Sequence, residues 1–440
     1  MTTRYDRLTH VEDADHRTPF RRDRDRVMFT TAVQRLAGVT QVASALEGFA
    51  FHNRLTHTLE MAQLGRRLAE KVIDEHSADA VAELGGIDPD VVEAACLAHD
   101  TGHPPFGHAA EDELDRILIA TGVTEGFEGN AQSLRVVTTL EPYRPDFLGL
   151  NLSRATVNAL LKYPWTRLNR PSGETKWGVY ESDASALSWA RSGLVVPSSR
   201  AAEADIMDLA DDIAYCVHDL HDFFRCRLTP LDQLWHGEAE FESFWRKAFQ
   251  RWSSVPDLLR KHAVSSLRER FLTFLRSHLR VPQQYGGTHL ERAFLREMTS
   301  SLIKRFRDGM LVTPIGGPLR IVVAEERAIE IRLLREITRV YVHRQPALLA
   351  QQVAHRRVVS LLFEVFRTHV DRGELDILPP HYRDVLEDEA RVRAFCGAEA
   401  APHLRLIADS ICSLTDRQAF ALYHRLVGIA PGYIADETTP

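Results

Sequence analysis

The sequence predicts an all-α protein, and three of its features lead there. Apolar residues recur at the three-to-four spacing of a helix face through most of the 440 residues. The periodic stretches run for about 8–20 residues, the usual helix length, and turns containing Gly and Pro separate them. Strand-like runs occur in one place only, at 310–313 and 320–323. There Pro314, Gly316, Gly317 and Pro318 allow a short β-hairpin. One hairpin is too little for an α/β architecture.

Each element has a local reason. Residues 1–26 are polar and charged, with RRDRDR at 21–26, and read as a surface arm. Residues 27–46 read as a helix interrupted at Gly38. Residues 51–75 form a stronger one, with Leu55, Leu59, Ala62 and Leu68 on its core face and His57 between them. A loop at 83–89 leads to Pro89, which suits the first turn of the next helix. That helix ends in the adjacent His99 and Asp100, where Gly102, Pro104, Pro105 and Gly107 break it. A new helix opens near His108 and places Glu111 one turn along on the same face. FEGNAQ at 127–132 turns into a helix over 131–140, and 153–162 is helical up to Tyr163-Pro164. Residues 164–182 form a polar loop. The long helix at 202–225 sets Ile206, Leu209, Ile213, Val217 and Leu220 on one face. Asp208, Asp211, Tyr215, Asp219 and Asp222 share the other. Helices follow at 241–261, 263–279, 324–343, 347–370, 380–395, 402–412 and 416–428, the last capped by Thr415. This divides the chain into an arm and first helix (1–45), a core (46–230) and a C-terminal helical region (231–440).

Composition narrows the function. Hydrophobic residues make up 44% of the chain, enough for a sizeable core. A net charge of -7 and a pI near 6.3 argue against bulk electrostatic binding to nucleic acid. The five cysteines are scattered, odd in number and without a CxxC pair, which fits reduced thiols in a cytoplasmic protein. The first residues, MTTRYDRLTHVEDADHR, lack the apolar stretch of a signal peptide. No run of about 18 apolar residues is present to span a membrane.

The chemistry concentrates at 94–111, AACLAHDTGHPPFGHAAE. Imidazoles and carboxylates at the end of a buried helix are costly without partners, and a divalent cation is one such partner. His57 and Asp211 are the best remaining candidates to complete a His, His-Asp, Asp set. Helix phase alone does not separate Asp211 from Asp212. His103 fits a supporting role as well as a catalytic one.

In that order the set resembles the HD superfamily of metal-dependent phosphohydrolases. The match extends to the deoxynucleoside triphosphate triphosphohydrolases, the dGTPase-like family. It rests on RLTHTLE at 54–60, HDTGHPPFGHAAE at 99–111, FEGNAQ at 127–132 and ADDIAYCVHDL at 210–220. TPFRRDRDRV at 18–27, RLAGVTQV at 35–42 and, more weakly, SLTDRQAFALY at 413–423 add to it. The resemblance implies an HD-domain helical bundle with His57, His99, Asp100 and Asp211 as metal ligands. It makes His108 the catalytic histidine, with Glu111 orienting it. Gln41, Arg54, Asn130, Lys176, Tyr215 and Asp219 fall at substrate-contacting positions, Tyr215 and Asp219 framing the sugar and its 3′-hydroxyl. The family usually carries a lysine just before TQV, where this chain has Val39.

The implied reaction is attack of a metal-activated water on the α-phosphate of a deoxynucleoside triphosphate, releasing deoxynucleoside and triphosphate. The implied cofactor is Mn2+ or Mg2+, with Zn2+, Fe2+, Co2+ or Ni2+ compatible with the same ligands. The family further implies a homo-oligomer and activation by a bound nucleotide or single-stranded DNA. Two other readings remain beside it. One is an HD phosphohydrolase acting on nucleoside monophosphates or phosphodiesters. The other is a non-catalytic nucleotide- or nucleic-acid-binding regulator.

Overall fold

The computed structural model describes residues 3–11, 15–42, 51–192, 200–252, 263–315, 319–397 and 399–430. In chain order its first helices are α1 (Pro19–Met28), α2 (Thr31–Arg35), α3 (Arg54–Glu75), α4 (Ala78–Glu83), α5 (Pro89–Ala98) and α6 (His108–Ala120). Next come α7 (Gly129–Arg135), which runs on as a π-helical turn at Val136–Leu140, then α8 (Arg154–Leu160), α9 (Ala184–Ala190) and α10 (Ala202–Arg225). The second half holds α11 (Leu231–His236), α12 (Glu238–Trp252), α13 (Val264–His278) and α14 (His289–Arg307). The hairpin β1 (Met310–Pro314) and β2 (Leu319–Val323) follows, then α15 (Glu325–Tyr341), α16 (Pro346–Asp371), α17 (Pro380–Leu386), α18 (Glu389–Cys396), α19 (Pro402–Cys412) and α20 (Asp416–Leu426). The architecture is all-α, and the antiparallel hairpin pairs Met310 with Val323 through Pro314 with Leu319.

Local chemistry sets the boundaries that matter for the site. Asn53 caps α3 by accepting from Thr56 N at 2.9 Å. Asp88 caps α5 and Pro89 occupies its first turn. Thr415 and Gln418 form a capping box at the start of α20.

Two hydrophobic cores divide the work. The larger one packs α3, α5 and α10 together and extends through α12–α15 as far as Ile337. The second joins α6, through Ala110, Leu114 and Leu118 with Phe106 just before it, to α16, α19 and α20, through Val359, Leu362, Ile407 and Ala419. Helix α6 thus belongs to a different core from the three helices beside it.

The structure departs from the sequence-based reading in several places. Part of the charged arm is helix α1, and it is docked. Its Asp23 is fully buried, 2.7 Å from Arg7 Nη1, and accepts from Ser153 N and Thr156 Oγ1, each at 2.8 Å. The helix expected over 27–46 is α2 and a single 3-10 turn, Leu36–Gly38; its residues 43–46 lie outside the described residues. Helices α4, α9, α11 and α14 were not expected, and the one expected over 380–395 is two. Asp388 breaks it by capping α18 through the Ala390 and Arg391 amides. Leu59 points outward, 44% exposed, and Met61, Leu68, Ala69 and Val72 fill the core face instead.

Helices α3 and α5 approach closely at Gly65, where an added Cβ would lie 2.6 Å from Cys96 Sγ and 3.1 Å from Val92 Cγ1. Gly65→Leu should therefore lower stability by about 1–3 kcal/mol through overpacking. Thermal unfolding checks this, and an unchanged Tm would show that the two helices do not meet there.

Candidate active site

Three helix segments deliver the expected ligands. His57 lies one turn into α3, His99 and Asp100 end α5, and Asp211 sits midway along α10. His57, His99 and Asp100 place ligand atoms within 4.8 Å of one another. Asp211 Oδ1 lies 3.4 Å from His57 Nε2 and 4.0 Å from His99 Nε2. Asp212, the alternative ligand, turns away and pairs with Arg335.

Each carboxylate has one oxygen tied down and one left over. Asp100 Oδ2 accepts from Arg54 Nη1 at 2.7 Å, while its Oδ1 lies 3.3 Å from His99 Nε2 and 3.1 Å from His103 Nδ1. Asp211 Oδ2 accepts from Lys162 Nζ at 3.1 Å and leaves Oδ1 toward the imidazoles. Burial alone would raise both carboxyls. Arg54, then His99 and His103, hold Asp100 well below the usual range. Lys162, then His57 and His99, do the same for Asp211. His99 Nδ1 donates to Cys96 O at 2.7 Å, which leaves Nε2 with its lone pair.

The Nε2 atoms of His57 and His99 are shut off from solvent and make no hydrogen bond. Buried polar atoms of this kind ask for a partner. Two imidazole nitrogens facing two carboxylate oxygens form a donor set that suits a divalent cation. The residues present fit such an ion.

The second group stands on α6. His108 Nδ1 lies 2.6 Å from Glu111 Oε2, and its ring is two-thirds exposed to the cavity side. Glu111 is buried, and its other oxygen accepts from Gly129 N and Lys176 Nζ, each at 3.0 Å. Burial pushes this carboxyl up, but His108, His103 and Lys176 outweigh it and hold it well below the usual range. Lys176 also reaches Glu128 Oε1 at 3.0 Å, and the two glutamates raise its pKa despite its burial. The ring of His103 stands edge-on to that of His108, centroids 5.2 Å apart. Burial lowers the His103 pKa to about 4, so it is a neutral neighbour. The loop between the two groups is pinned at Gly102, where a Cβ would fall 2.1 Å from Ser133 N.

A cavity of about 660 Å³ opens over both groups, within the usual range for small-ligand sites. Gln41, Arg54, Asn130, Lys176 and Tyr215 line it, as the sequence led us to expect of substrate contacts. Asp219 does not. It lies in a small adjoining recess with Gln41 and His57. Arg54 is 2% exposed and already engaged, donating to Asp100 and, through Nε, to Thr40 O at 3.0 Å. Further cationic lining was missed: Arg332, Arg335 and Arg339 from α15, and Lys162 beyond α8, beside Asp211. The i, i+3, i+7 spacing of the three arginines was a readable signal of one basic helix face.

A second cluster lies nearby. His52, Glu60 and His218 are close enough together to hold an ion. The two rings are stacked, however, with centroids 4.5 Å apart and planes 9° from parallel. The Nε2 atoms of both rings already face the Glu60 carboxylate, that of His52 at 3.4 Å and that of His218 in closer contact. Burial opposes a charge on His52, but Asp222 and Glu60 outweigh it and lift its pKa to about 10.

Two imidazoles and two carboxylates brought together by a helical bundle define the HD class of phosphohydrolases. The HD domain model matches residues 54–216, and the phosphohydrolase-associated domain model matches 321–425. A deoxyguanosinetriphosphate triphosphohydrolase-like protein of Streptomyces coelicolor is 36% identical over 94% of this chain and 93% of its own. Proteins of the same description from Corynebacterium efficiens and Jannaschia sp. are 34% and 32% identical, over 96% and 97% of this chain and 94% and 93% of theirs. The chain belongs to this dGTPase-like family of HD-domain phosphohydrolases.

The raised His52 pKa carries a pH signature. A charged imidazole held this way contributes stability that is fully present below about pH 6.5 and is lost as pH rises through about 10. Wild-type Tm should fall across that window more steeply than the Tm of His52→Ala. Parallel curves would show that His52 carries no charge in the fold.

Proposed function

We propose that the protein hydrolyses deoxynucleoside triphosphates, dGTP-like substrates among them, to deoxynucleoside and inorganic triphosphate. One observation carries the reading. Two buried imidazole nitrogens without partners face two carboxylate oxygens, at the edge of a cavity with cationic lining. The names of the relatives support the same reading.

His57, His99, Asp100 and Asp211 would hold a divalent cation. When bound, such a cation polarises a phosphoryl oxygen and lowers the pKa of a water molecule. Phosphoryl transfer is otherwise mostly a matter of positioning and charge. Lys162, Lys176 and the arginines of α15 face the space a triphosphate would fill. His108, held at Nδ1 by Glu111, gives a proton to the departing O5′. The water oxygen forms the new bond to the α-phosphorus as the P–O5′ bond breaks, so deoxynucleoside and triphosphate are the products. Gln41 Oε1 and Asp219 Oδ2 are buried without hydrogen bonds, and both can accept from a 3′-hydroxyl. Tyr215 lines the cavity, and its ring packed against the sugar would leave no room for a 2′-hydroxyl and so favour deoxyribose over ribose.

The test is product analysis with each dNTP, and with GTP, in Mn2+ or Mg2+. Triphosphate from dNTPs and little turnover of GTP is the expected result. Pyrophosphate or orthophosphate would support a different HD phosphohydrolase, and no product at all would overturn the reading. His99→Ala should lose bound metal and activity together. His108→Ala should keep metal and dNTP binding while kcat falls by about 10²–10⁴. Wild-type turnover in His108→Ala would remove that residue from the chemistry.

A further inference from the structure

Asp416 is the first residue of α20, far in sequence from the site, and its carboxylate is fully buried. Oδ1 accepts from the Phe106 amide at 2.7 Å. Oδ2 accepts from Thr40 N at 3.1 Å and Thr40 Oγ1 at 2.5 Å. All three donors belong to segments that place site residues.

Phe106 stands two residues before His108 and has a φ of 67°. A bulky residue is strained in that left-handed region and persists there only when its surroundings hold it. Here the Asp416 carboxylate fixes its amide. Its ring is stacked on His355, centroids 4.3 Å apart, and meets Phe420 of α20 at 4.8 Å. The strained backbone delivers the chain to the start of α6, where His108 is the first residue.

The other oxygen acts on the opposite wall. Thr40 immediately precedes Gln41, and its carbonyl accepts from Arg54 Nε at 3.0 Å. The same guanidinium donates to Asp100 Oδ2 at 2.7 Å. One carboxylate therefore holds the approach to His108 and, through Thr40 and Arg54, the orientation of Asp100.

We propose that Asp416 is a positioning residue of the phosphohydrolase reaction, setting the distance between His108 and the cation-binding carboxylates without touching substrate. The inference rests on the triphosphohydrolase reading for its assay. Asp416→Asn is the direct test, because an amide offers an acceptor on one side only and turns N–H groups toward Thr40 or Phe106. The variant should still fold. The Thr415–Gln418 capping box remains. Arg35 still ties Leu414 O at 2.9 Å to Thr101 O and His103 O at 2.9 and 2.7 Å.

In Asp416→Asn, kcat should fall by roughly tenfold to a hundredfold, the loss that follows small misplacement of reacting groups. KM for the dNTP and the Kd for Mn2+ should stay near wild type. Thr40→Val, which removes only the hydroxyl donor, should show a smaller loss of the same kind. A lower Tm with wild-type kcat would make Asp416 a strut only and overturn the proposal. If wild-type protein releases no triphosphate, the functional reading fails first. Hydrogen exchange at residues 103–108 then decides the placement alone: faster exchange in Asp416→Asn supports it, and unchanged exchange overturns it.

Discussion

A carboxylate taken out of water must find a cation, and the site is built around that need at Asp100 and Asp211. Their burial would neutralise them in apolar surroundings. Arg54 and Lys162 hold them ionised, each engaging only Oδ2. The geometry leaves each Oδ1 pointed at imidazole nitrogens. The pattern widens outward: Lys162 also meets Asp208, Arg200 pairs with Asp208, and Arg335 pairs with Asp212. Four carboxylates face four protein cations, so the cluster is balanced before any ion arrives. With a dication bound, the site would be electropositive, which is what the proposed polyphosphate substrate would offset.

This balance explains what the sequence disclosed. His99-Asp100 is legible because Gly and Pro end a buried helix beside two costly polar groups. His108 and Glu111 are legible because one helical turn separates them. Asp211 needed more than periodicity, since adjacent aspartates on one helix differ only in rotation. What resolves them is the neighbour across the gap, His57 for Asp211 and Arg335 for Asp212. The counter-cations were hidden for the same reason. Lys162 reads as the charged end of a helix until the fold lays it against α10. Arg54 reads as a substrate contact, and the fold adds that its Nε and Nη1 donate to Thr40 and Asp100.

The arm illustrates the opposite error. Every residue of RRDRDR is charged, and charge usually means solvent. Yet Asp23 within it is buried, because Ser153 and Thr156 donate to its Oδ2 and the Arg7 guanidinium lies as an ion pair against Oδ1. A satisfied buried charge looks like a surface charge in sequence. Helix α14 was different: Leu295, Met298, Leu302 and Phe306 are buried at helical spacing, and a Thr288–Glu291 capping box marks its start. That element was readable, and its dense arginines masked the period.

The division into two cores gives the site its mechanical character. The proposed cation ligands stand on α3, α5 and α10, which share the larger core. His108 and Glu111 stand on α6, whose apolar face belongs with α16, α19 and α20. The two groups must work within hydrogen-bond reach of one bound molecule, yet no common hydrophobic core fixes their separation. The 101–107 loop and its polar clamps bridge them: Ser133 Oγ on Gly102 N, Arg35 on Thr101 and His103, and Asp416 on Phe106. Directional bonds set distance and angle more finely than apolar packing does, because they weaken steeply when bent. A seam held by such bonds keeps the His108–Glu111 pair registered to the His57, His99, Asp100 and Asp211 cluster, and it accounts for the strained Phe106 backbone lying at the boundary between the two cores.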